Sequence, residues 1–524
     1  MKINIDMMGD RRVAFALLMV SYVFLLSIPL VDVPLNEDSM ASLPIKIFLS
    51  ENRLEFVPFM SFTYFAQFAY GLAFAGIFGF SFANLQLATI VLSGLTVTAF
   101  YFLLRRYVGK TESALGALLL LTNPIFINYS HSFASDLHAL FYIVLATYFG
   151  ARAVETNSNR HLFMCVLAST AGFYVRQYSI AILGGVFLYY ILVQRKNLTA
   201  KKFAIMTVIP SIAVIAWLYW AFFVSPRIVL DIYHTPGLGL TQLANVSRSL
   251  FFMSLFFLPF GPAVLANIKT VFARVDRRAF WVGGAAVGIS IAWLAQRAIT
   301  GKYLLYGVSV INQKGIGNIG ILGRDARAPI FPEMLWIPIV AMSLVCLFYL
   351  AVTVYNNRKD AKTLPLIFIA LAYLVATDIS RLTIDRYFIA MMIPLTPLLM
   401  RELSKMRNYR LLLGGALVLM AVWGWYGTYE HVTINKVGWD ATQELVRNGV
   451  DVQAIDGSVD FNVFYSTCTT QKVFCELNYA CVPEKTECDY TLTFIPDDDV
   501  VTSRDYFSPF GNKRGTLYVV RANE

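Results

Sequence analysis

The sequence predicts an all-α polytopic membrane protein of about 13 transmembrane helices, followed by a small C-terminal α/β domain. Three observations carry this. The 524 residues are 57% hydrophobic and only 15% charged, with a mean hydropathy of +0.59. A soluble chain has about 25% charged residues, so the polar surface needed to cover soluble domains is missing. Apolar runs of bilayer-spanning length recur from Val13 to about residue 427, each near the twenty residues a spanning helix requires. Beyond Gly438 the long runs stop and short alternating segments take over. The formal net charge of +10 comes from Lys and Arg in short clusters between apolar runs, not from one extended face. That pattern excludes a nucleic-acid partner and reads as topology.

The first run, Val13 to Val31, follows Asp10-Arg11-Arg12. It is longer than the apolar core of a cleaved leader, and Asp32-Val33-Pro34-Leu35 offers no small-residue cleavage site, so a retained first helix is expected. Further runs lie at 84–104, 112–129, 137–154, 161–176, 178–193, 203–224, 247–268, 279–296, 329–354, 364–380, 384–400 and 411–427. The short pair 161–176 and 178–193 also fits one re-entrant unit. With a cytoplasmic N-terminus, every second loop should be rich in Lys and Arg. The loops so predicted carry Arg105-Arg106…Lys110, Arg152…Arg160, Arg195-Lys196…Lys201-Lys202, Lys269…Arg274…Arg277-Arg278, Arg358-Lys359…Lys362 and Arg401…Lys405…Arg407…Arg410. All six are basic. An odd number of spans then places the chain after about residue 428 outside. The domain organisation expected is a transmembrane module over 1–430 and an extracytoplasmic domain over 431–524, in a plasma membrane (the inner membrane, in a bacterium).

In that outer domain Trp439-Asp440-Ala441-Thr442-Gln443-Glu444-Leu445-Val446-Arg447 predicts a short amphipathic helix ended by Asn448-Gly449. Val452–Ile455, Asn462–Tyr465, Tyr490–Ile495 and Thr516–Val520 are strand-like. Cys468, Cys475, Cys481 and Cys488 cluster here. In a domain placed outside, two disulfides with three possible pairings are favoured. A zinc site would need close C-x-x-C pairs, which these spacings do not supply. Cys165 and Cys346 fall within spans and read as small buried apolar residues.

The outer loops are where chemistry can be placed. The first, 32–83, is too long for a connector. It contains Asn36-Glu37-Asp38-Ser39-Met40, an amphipathic stretch from Leu43 to Leu49, and an aromatic-rich segment from Phe56 to Phe82 suited to helices lying in the interface. A second stretch, Asn128 to His138, holds His131, Asp136 and His138. The third, 297–328, contains Lys302, Tyr303, Lys314, the glycines of Gly315-Ile316-Gly317-Asn318-Ile319-Gly320, Arg324 and Arg327. Those glycines follow no strand of a βαβ unit, so they fit a mobile loop over a cavity better than a nucleotide fingerprint.

An acidic pair just after the first span is similar to the signature of GT-C glycosyltransferases. The group it resembles comprises the bacterial aminoarabinose transferases and the protein O-mannosyltransferases. Asn123-Pro124-Ile125-Phe126-Ile127-Asn128-Tyr129-Ser130, followed by Ser135-Asp136 and a helix, is similar to that group's second acidic region. Phe173-Tyr174-Val175-Arg176, Asp385-Arg386-Tyr387-Phe388…Pro394 and Gly438-Trp439-Asp440…Gly449…Ile455-Asp456-Gly457…Phe461-Asn462 resemble further segments. The family order is Asp-Glu, whereas this chain has Glu37-Asp38, which leaves open which carboxylate serves as base.

What the resemblance implies is a GT-C fold and an inverting transfer of a sugar from a polyprenyl-phosphate donor to a glycolipid, polysaccharide or protein acceptor on the outer face. The partners expected are therefore that donor, membrane lipid and a glycan or protein acceptor, with no nucleic acid. An acceptor hydroxyl must lose its proton to a carboxylate within hydrogen-bonding reach, and Glu37 and Asp38 are the candidates, with Asp136 positioning or assisting. The leaving lipid phosphate needs cations, which guanidinium supplies bidentately. Arg176, Arg381, Arg386, Lys302, Arg324 and Arg327 are the candidates. No motif calls for a cofactor; a divalent cation is the one left open, and His131 and His138 fall short of a ligand set.

Plain alternatives stand beside these. Asp38 and Asp136 sit where a helix cap would, a role contributing about 1 kcal/mol. Arg176 lies between apolar runs, where an unpaired charge is costly, so it must be paired or functional. Arg381 and Arg386 could snorkel to the interface, and Lys302, Arg324 and Arg327 could be solvated loop charges. A lipid-linked glycan flippase would also be polytopic, but such transporters show paired halves or broken helices at midplane, and no internal repeat is visible. Within the enzyme class the competing reading is a protein O-mannosyltransferase.

Overall fold

The fold comes from a computed structural model that describes residues 7–36, 38–55, 64–220, 240–299, 310–312, 315–317, 333–378, 385–469, 487–496, 499–509 and 513–521. The chain opens with α1 (Met7–Leu26), then α2 (Asp38–Glu51), α3 (Phe65–Phe78), α4 (Phe82–Leu104), α5 (Lys110–Leu121), α6 (Pro124–Ser130), α7 (Ser135–Thr156) and α8 (Asn159–Phe173). It continues with α9 (Ala181–Leu192), α10 (Ala200–Tyr219), α11 (Leu240–Phe256), α12 (Gly261–Ala266), α13 (Ile268–Ala273), α14 (Arg277–Ile299), α15 (Trp336–Asn357), α16 (Leu364–Asp378), α17 (Met392–Leu403) and α18 (Tyr409–Arg447).

Local chemistry sets the boundaries. Ser81, Ser158 and Thr199 each accept a hydrogen bond from a backbone N–H of the helix they precede, α4, α8 and α10. Asn157, in the left-handed region, ends α7. Among the described residues six helices are long and apolar enough to cross a membrane, and up to eight if each of two bent pairs is one span. The expected run 112–129 is one of those pairs: α5 and α6 meet at 62° because Pro124 excludes its predecessor from helical backbone and Asn123 starts a new helix there. The other bent pair breaks between Phe256 and Leu258, before Pro259. Large apolar side chains point outward along the bundle, among them Val208, Ile212 and Ile215 of α10 and Leu411, Val418 and Leu419 of α18. Such surfaces are stable against lipid and not against water. This is a multi-pass membrane protein.

The six basic loops meet at one end of the bundle. Arg106 pairs with Glu155, and Lys202 with Asn157. Arg410 pairs with Glu112 at 2.8 Å, Arg401 with Asp360, and the Arg407 backbone with the Asn267 side chain at 3.1 Å. The charge alternation thus corresponds to a real gathering of every second loop, here termed the basic end. The opposite end carries the loop after α1, the start of α7 and the C-terminal domain.

That domain grows out of the membrane helix without a break. α18 runs 39 residues, about 58 Å at 1.5 Å per residue, roughly twice the ~30 Å bilayer core. The separate helix expected at 439–447 is the end of this continuous rod, which also runs through the boundary expected at 430/431 and stops at Asn448-Gly449 (φ +91° at Gly449). A parallel pairing of β3 (Ile455–Asp456) with β4 (Tyr490–Thr493) continues into antiparallel β6 (Lys513–Arg521) and β5 (Val500–Ser508), giving the order β3-β4-β6-β5. Asn462–Tyr465, expected as a strand, lies in helix α19 (Val459–Tyr465), because the Ser458 hydroxyl caps it by accepting from the Phe461 N–H at 3.2 Å. Cys468 and Cys488 form a disulfide; Cys475 and Cys481 lie outside the described residues. Cys165 and Cys346 are buried free thiols. Phe82 at the start of α4 meets Trp439 and Phe464, and Lys46 of α2 sits 4.5 Å over the Phe464 ring, so the domain rests on the two segments flanking the first long loop.

Candidate active site

The site is built where α6 turns into α7. With Asn123 capping and Pro124 in the first turn, α6 ends at Ser130, and four residues later the chain restarts at Ser135. Asp136 therefore falls in the first turn of a 22-residue helix, where exposed N–H groups favour an anion. Its side chain is 2% exposed, so its charge needs partners. Arg176 Nη2 lies 3.2 Å from Oδ2, Arg386 Nε lies 3.6 Å from Oδ2, and the Tyr178 hydroxyl donates to Oδ1 at 2.9 Å. Asp136 makes no cap: the N-cap of α7 is Ala134. The capping alternative gives way to a double ion pair.

Both arginines come from backbone that is not α-helical. Arg176 is extended (φ −146°) between α8 and a short 3-10 turn, Gln177–Ile180, which puts Arg176 and Tyr178 on one carboxylate. Arg386 lies in a second 3-10 segment, Asp385–Met391. Its Nη1 donates to the Tyr129 hydroxyl at 2.7 Å. Tyrosine rings wall the pair: Arg176 lies over Tyr64 (5.7 Å) and Tyr387 (5.8 Å), and Arg386 over Tyr129 and Tyr387, both 5.6 Å. Such stacking suits guanidinium, which is weakly hydrated and planar. Two cations converge on Asp136, and the buried Arg176 Nε has no hydrogen-bond partner among the described residues.

Asp385 fixes the second arginine from behind. Its Oδ1 accepts from the backbone N–H of Val310 (2.9 Å) and of Arg386 (2.8 Å), and Oδ2 from that of Ile311 (3.0 Å). A two-stranded hairpin, β1 (Ile311–Asn312) and β2 (Gly315–Ile316), is thereby tied to the arginine segment. The hairpin's other side rests on α18: Ile316 fills the space over Gly427, and Gly317, at φ +95°, leaves no room for a Cβ against the His431 ring. Arg297, expected to open the third outer loop, is still within α14.

The acid pair enters beside this cluster. Asn36, in the left-handed region at φ 54°, donates through Nδ2 to Asn128 Oδ1 at 2.8 Å, and Asn128 immediately precedes Tyr129. Asp38 begins α2. Asp38 follows Asn36 by two positions along the chain. Glu37, Arg381, Lys302, Arg324 and Arg327 fall outside the described residues. Of the candidates read from sequence, the structure brings together Asp136, Arg176 and Arg386. Those missed are Tyr64, Tyr129, Tyr178, Tyr387 and Asp385. The available signal was tyrosine within two positions of an interrupting Arg.

The histidines are structural. His131 places Nδ1 2.9 Å from the Ile127 carbonyl and Nε2 2.8 Å from that of Leu25, and His138 reaches the Thr89 hydroxyl at 3.1 Å. Among the described residues no group of three His, Cys, Asp or Glu could hold a metal ion. Asp136 does not suit a cation, since arginines and a tyrosine hydroxyl already occupy its oxygens.

Residues 65–220, from α3 to α10, match the family model described as dolichyl-phosphate-mannose-protein mannosyltransferase. The matched segment is similar to that family and contains Asp136, Arg176 and Tyr178, while Arg386 and the acid pair flank it in sequence. No curated protein matches the chain in sequence. Among solved structures, the ArnT protein of Cupriavidus metallidurans in its apo state is 13% identical, with 98% of this chain and 97% of that one covered and a TM-score of 0.43. The Archaeoglobus fulgidus oligosaccharyltransferase AglB, in complex with an inhibitory peptide and a dolichol-phosphate, is 13% identical over 98% of this chain and 74% of that one, with a TM-score of 0.45. The Saccharomyces cerevisiae Pmt1-Pmt2 complex bound to the sugar donor is 15% identical, covers 45% of this chain and 36% of that chain, and has a TM-score of 0.35.

Proposed function

We propose that this protein is an inverting glycosyltransferase that moves a sugar from a polyprenyl-phosphate carrier to an acceptor hydroxyl at the non-cytoplasmic face of its membrane. The observation that carries the reading is the buried Arg176–Asp136–Arg386 cluster beside the anchored start of the acid pair. Two guanidinium groups converge there, and the Arg176 Nε left without a partner among the described residues is a donor for a phosphate. A low-dielectric pocket strengthens that attraction. The family match supports the donor class, and a protein acceptor, as that family's description implies, is the second reading.

In this reading Glu37 or Asp38 accepts the acceptor hydroxyl's proton as its oxygen attacks the anomeric carbon. The bond from that carbon to the phosphate oxygen breaks, and its electron pair stays on the lipid phosphate. Arg176 and Arg386 stabilise that charge; Asp136 positions the two arginines. General-base catalysis of this kind contributes about 10²–10⁴-fold. The test is transfer from a panel of polyprenyl-phosphate sugars by the purified protein and its Asp38→Asn and Glu37→Gln variants. One variant is expected to lose transfer by that factor while still binding the lipid phosphate. Wild-type transfer rates in both would overturn the assignment. Labelling of a cysteine placed at exposed Lys436 in intact cells tests the orientation: protection from an impermeant reagent would reverse it.

A further inference from the structure

The basic end holds more positive charge than its acids neutralise, and part of that excess converges from several segments on one cluster. Arg106, two residues past the C-terminal end of α4, and Arg152 in the last two turns of α7 flank the same ring, with their guanidinium carbons 5.8 and 6.0 Å from the Tyr148 centroid. Arg152 Nη1 reaches the Tyr148 hydroxyl at 3.4 Å, while its buried Nε has no hydrogen-bond partner among the described residues. His161, at the start of α8, feels the charges of Arg152, Arg106 and Arg160 together. From the loop before α16, Lys362 feels Arg401 and Arg106, and its ammonium lies 5.6 Å over the Tyr107 ring. The acids in reach are two: Glu155 on Arg106 and Asp360 on Arg401. Five cations from four segments therefore meet two carboxylates.

Two other arginines at this end are each matched by one carboxylate. Arg105 and Asp10 form a closed pair, and Arg410 is matched by Glu112. Like charges held together by rigid helix ends repel unless an anion lies among them, and nothing in the local sequence supplies one. The position selects the anion's source. α4 and α7 are both membrane-crossing helices, and Arg106 and Arg152 stand at the ends of those two spans, where the phosphates of lipid headgroups lie. We propose that this cluster is a headgroup site for an anionic phospholipid, its phosphodiester seated among Arg106, Arg152 and Lys362, with Arg160 and Arg401 at the rim. The site is separate from the Asp136 cluster, at the opposite end of the bundle, and does not depend on the glycosyltransferase reading.

The test uses the full-length protein, delipidated in detergent and titrated with phosphatidylglycerol, phosphatidylcholine or inorganic phosphate. Retained lipid is read by native mass spectrometry and thermal stability in parallel. The Arg160→Gln/Lys362→Gln variant changes two exposed side chains and so leaves the fold intact. The control, Arg277→Gln/Arg278→Gln, removes the same charge from the same end at the start of α14. Phosphatidylglycerol alone should be retained and raise the melting temperature. At roughly one surface charge's attraction per residue removed, the cluster variant should lose at least about tenfold in its affinity for that lipid, and the control should match the wild type. Equal losses in both variants would reduce the effect to a diffuse basic surface and overturn the proposal. Retention in the cluster variant at the wild-type level would also overturn it, as would an equal stabilisation by inorganic phosphate or phosphatidylcholine.

Discussion

Two buried carboxylates at opposite ends of the bundle each meet arginine and tyrosine, and they do different things. At the basic end Asp10 takes Arg105 by both oxygens, Nε to Oδ1 at 2.7 Å and Nη2 to Oδ2 at 3.1 Å, with the Tyr101 hydroxyl on Oδ1 at 2.8 Å. Arg105 then spends Nη1 on the Val108 carbonyl at 3.0 Å. One cation meets one anion, bidentately, and the pair closes on itself; it joins α1 to α4. At the other end Asp136 is shared by two arginines at 3.2 and 3.6 Å, leaving a donor unmet among the described residues. A saturated cluster is a fastener. An unsaturated one has capacity left for a ligand.

The sharpest way to break this comparison is to neutralise both carboxylates. Asp136→Asn and Asp10→Asn each leave buried arginine without its counter-ion, at a cost of about 3–5 kcal/mol. Both should therefore lower the melting temperature. Only Asp136→Asn should also abolish transfer per folded molecule; if Asp10→Asn does so equally, the division into site and fastener is wrong. Next comes Arg176→Lys, which keeps the charge but loses the planar fork. A 10–100-fold fall in kcat/KM for the lipid donor is expected, of the order of 1–3 kcal/mol, with no comparable effect from Arg105→Lys on turnover.

A smaller effect is expected behind Arg386. Gly317→Ala would put a methyl 2.4 Å from the His431 ring at a backbone angle of +95°, a strain of about 1–3 kcal/mol. It should loosen the hairpin that Asp385 holds and reduce turnover several-fold. Adding His431→Ala should restore part of the activity, because it removes the clash and not the dihedral cost. No recovery would mean that the hairpin's position is irrelevant.

The smallest effect belongs to the exposed Asp360–Arg401 pair of the basic end. Burial pushes the Asp360 carboxyl up, but the hydrogen bonds from Arg401 and the Lys362 N–H, with Arg401's charge, hold it below the usual carboxylate value. A carboxyl depressed on folding stabilises above its unfolded pKa, about 3.9, and that contribution fades as pH falls through the lower folded value. With side chains 39% and 31% exposed, the pair contributes at most about 1 kcal/mol. The melting-temperature gap between wild type and Asp360→Asn should be small at pH 7 and shrink as pH falls below the unfolded value of about 3.9.

Much of this arrangement was readable before folding. Spans follow from run length because lipid offers backbone groups no partner, so an apolar run of twenty must be helical. The alternation of basic loops grouped these loops on one side, and there the structure pairs Arg106 with Glu155, Lys202 with Asn157 and Arg410 with Glu112. Arg176 was legible as a charge that could not stay alone. Less legible were segments whose local signals compete. Asn462–Tyr465 has strand-forming residues but a serine cap upstream, and the cap won. The run at 112–129 has the length of a span, yet Pro124 bends it by 62°.

By itself the sequence determined the local character of each segment: that the chain is rich in apolar helices, which loops share a side, and where a polar domain begins to build strands. Those outcomes depend on hydrophobicity, charge and backbone propensity within a few turns of chain. Only the tertiary structure decided which arginines share Asp136. Arg176 and Arg386 lie 40 and 250 positions from it in sequence, and no local rule links them. Their meeting is fixed by packing of α7 against the 3-10 segments that carry the arginines, and by a hairpin from a further loop clamped onto Asp385. The energetic reason is general: a buried charge must find its partner wherever the fold brings one, and distance along the chain places no limit on where that is.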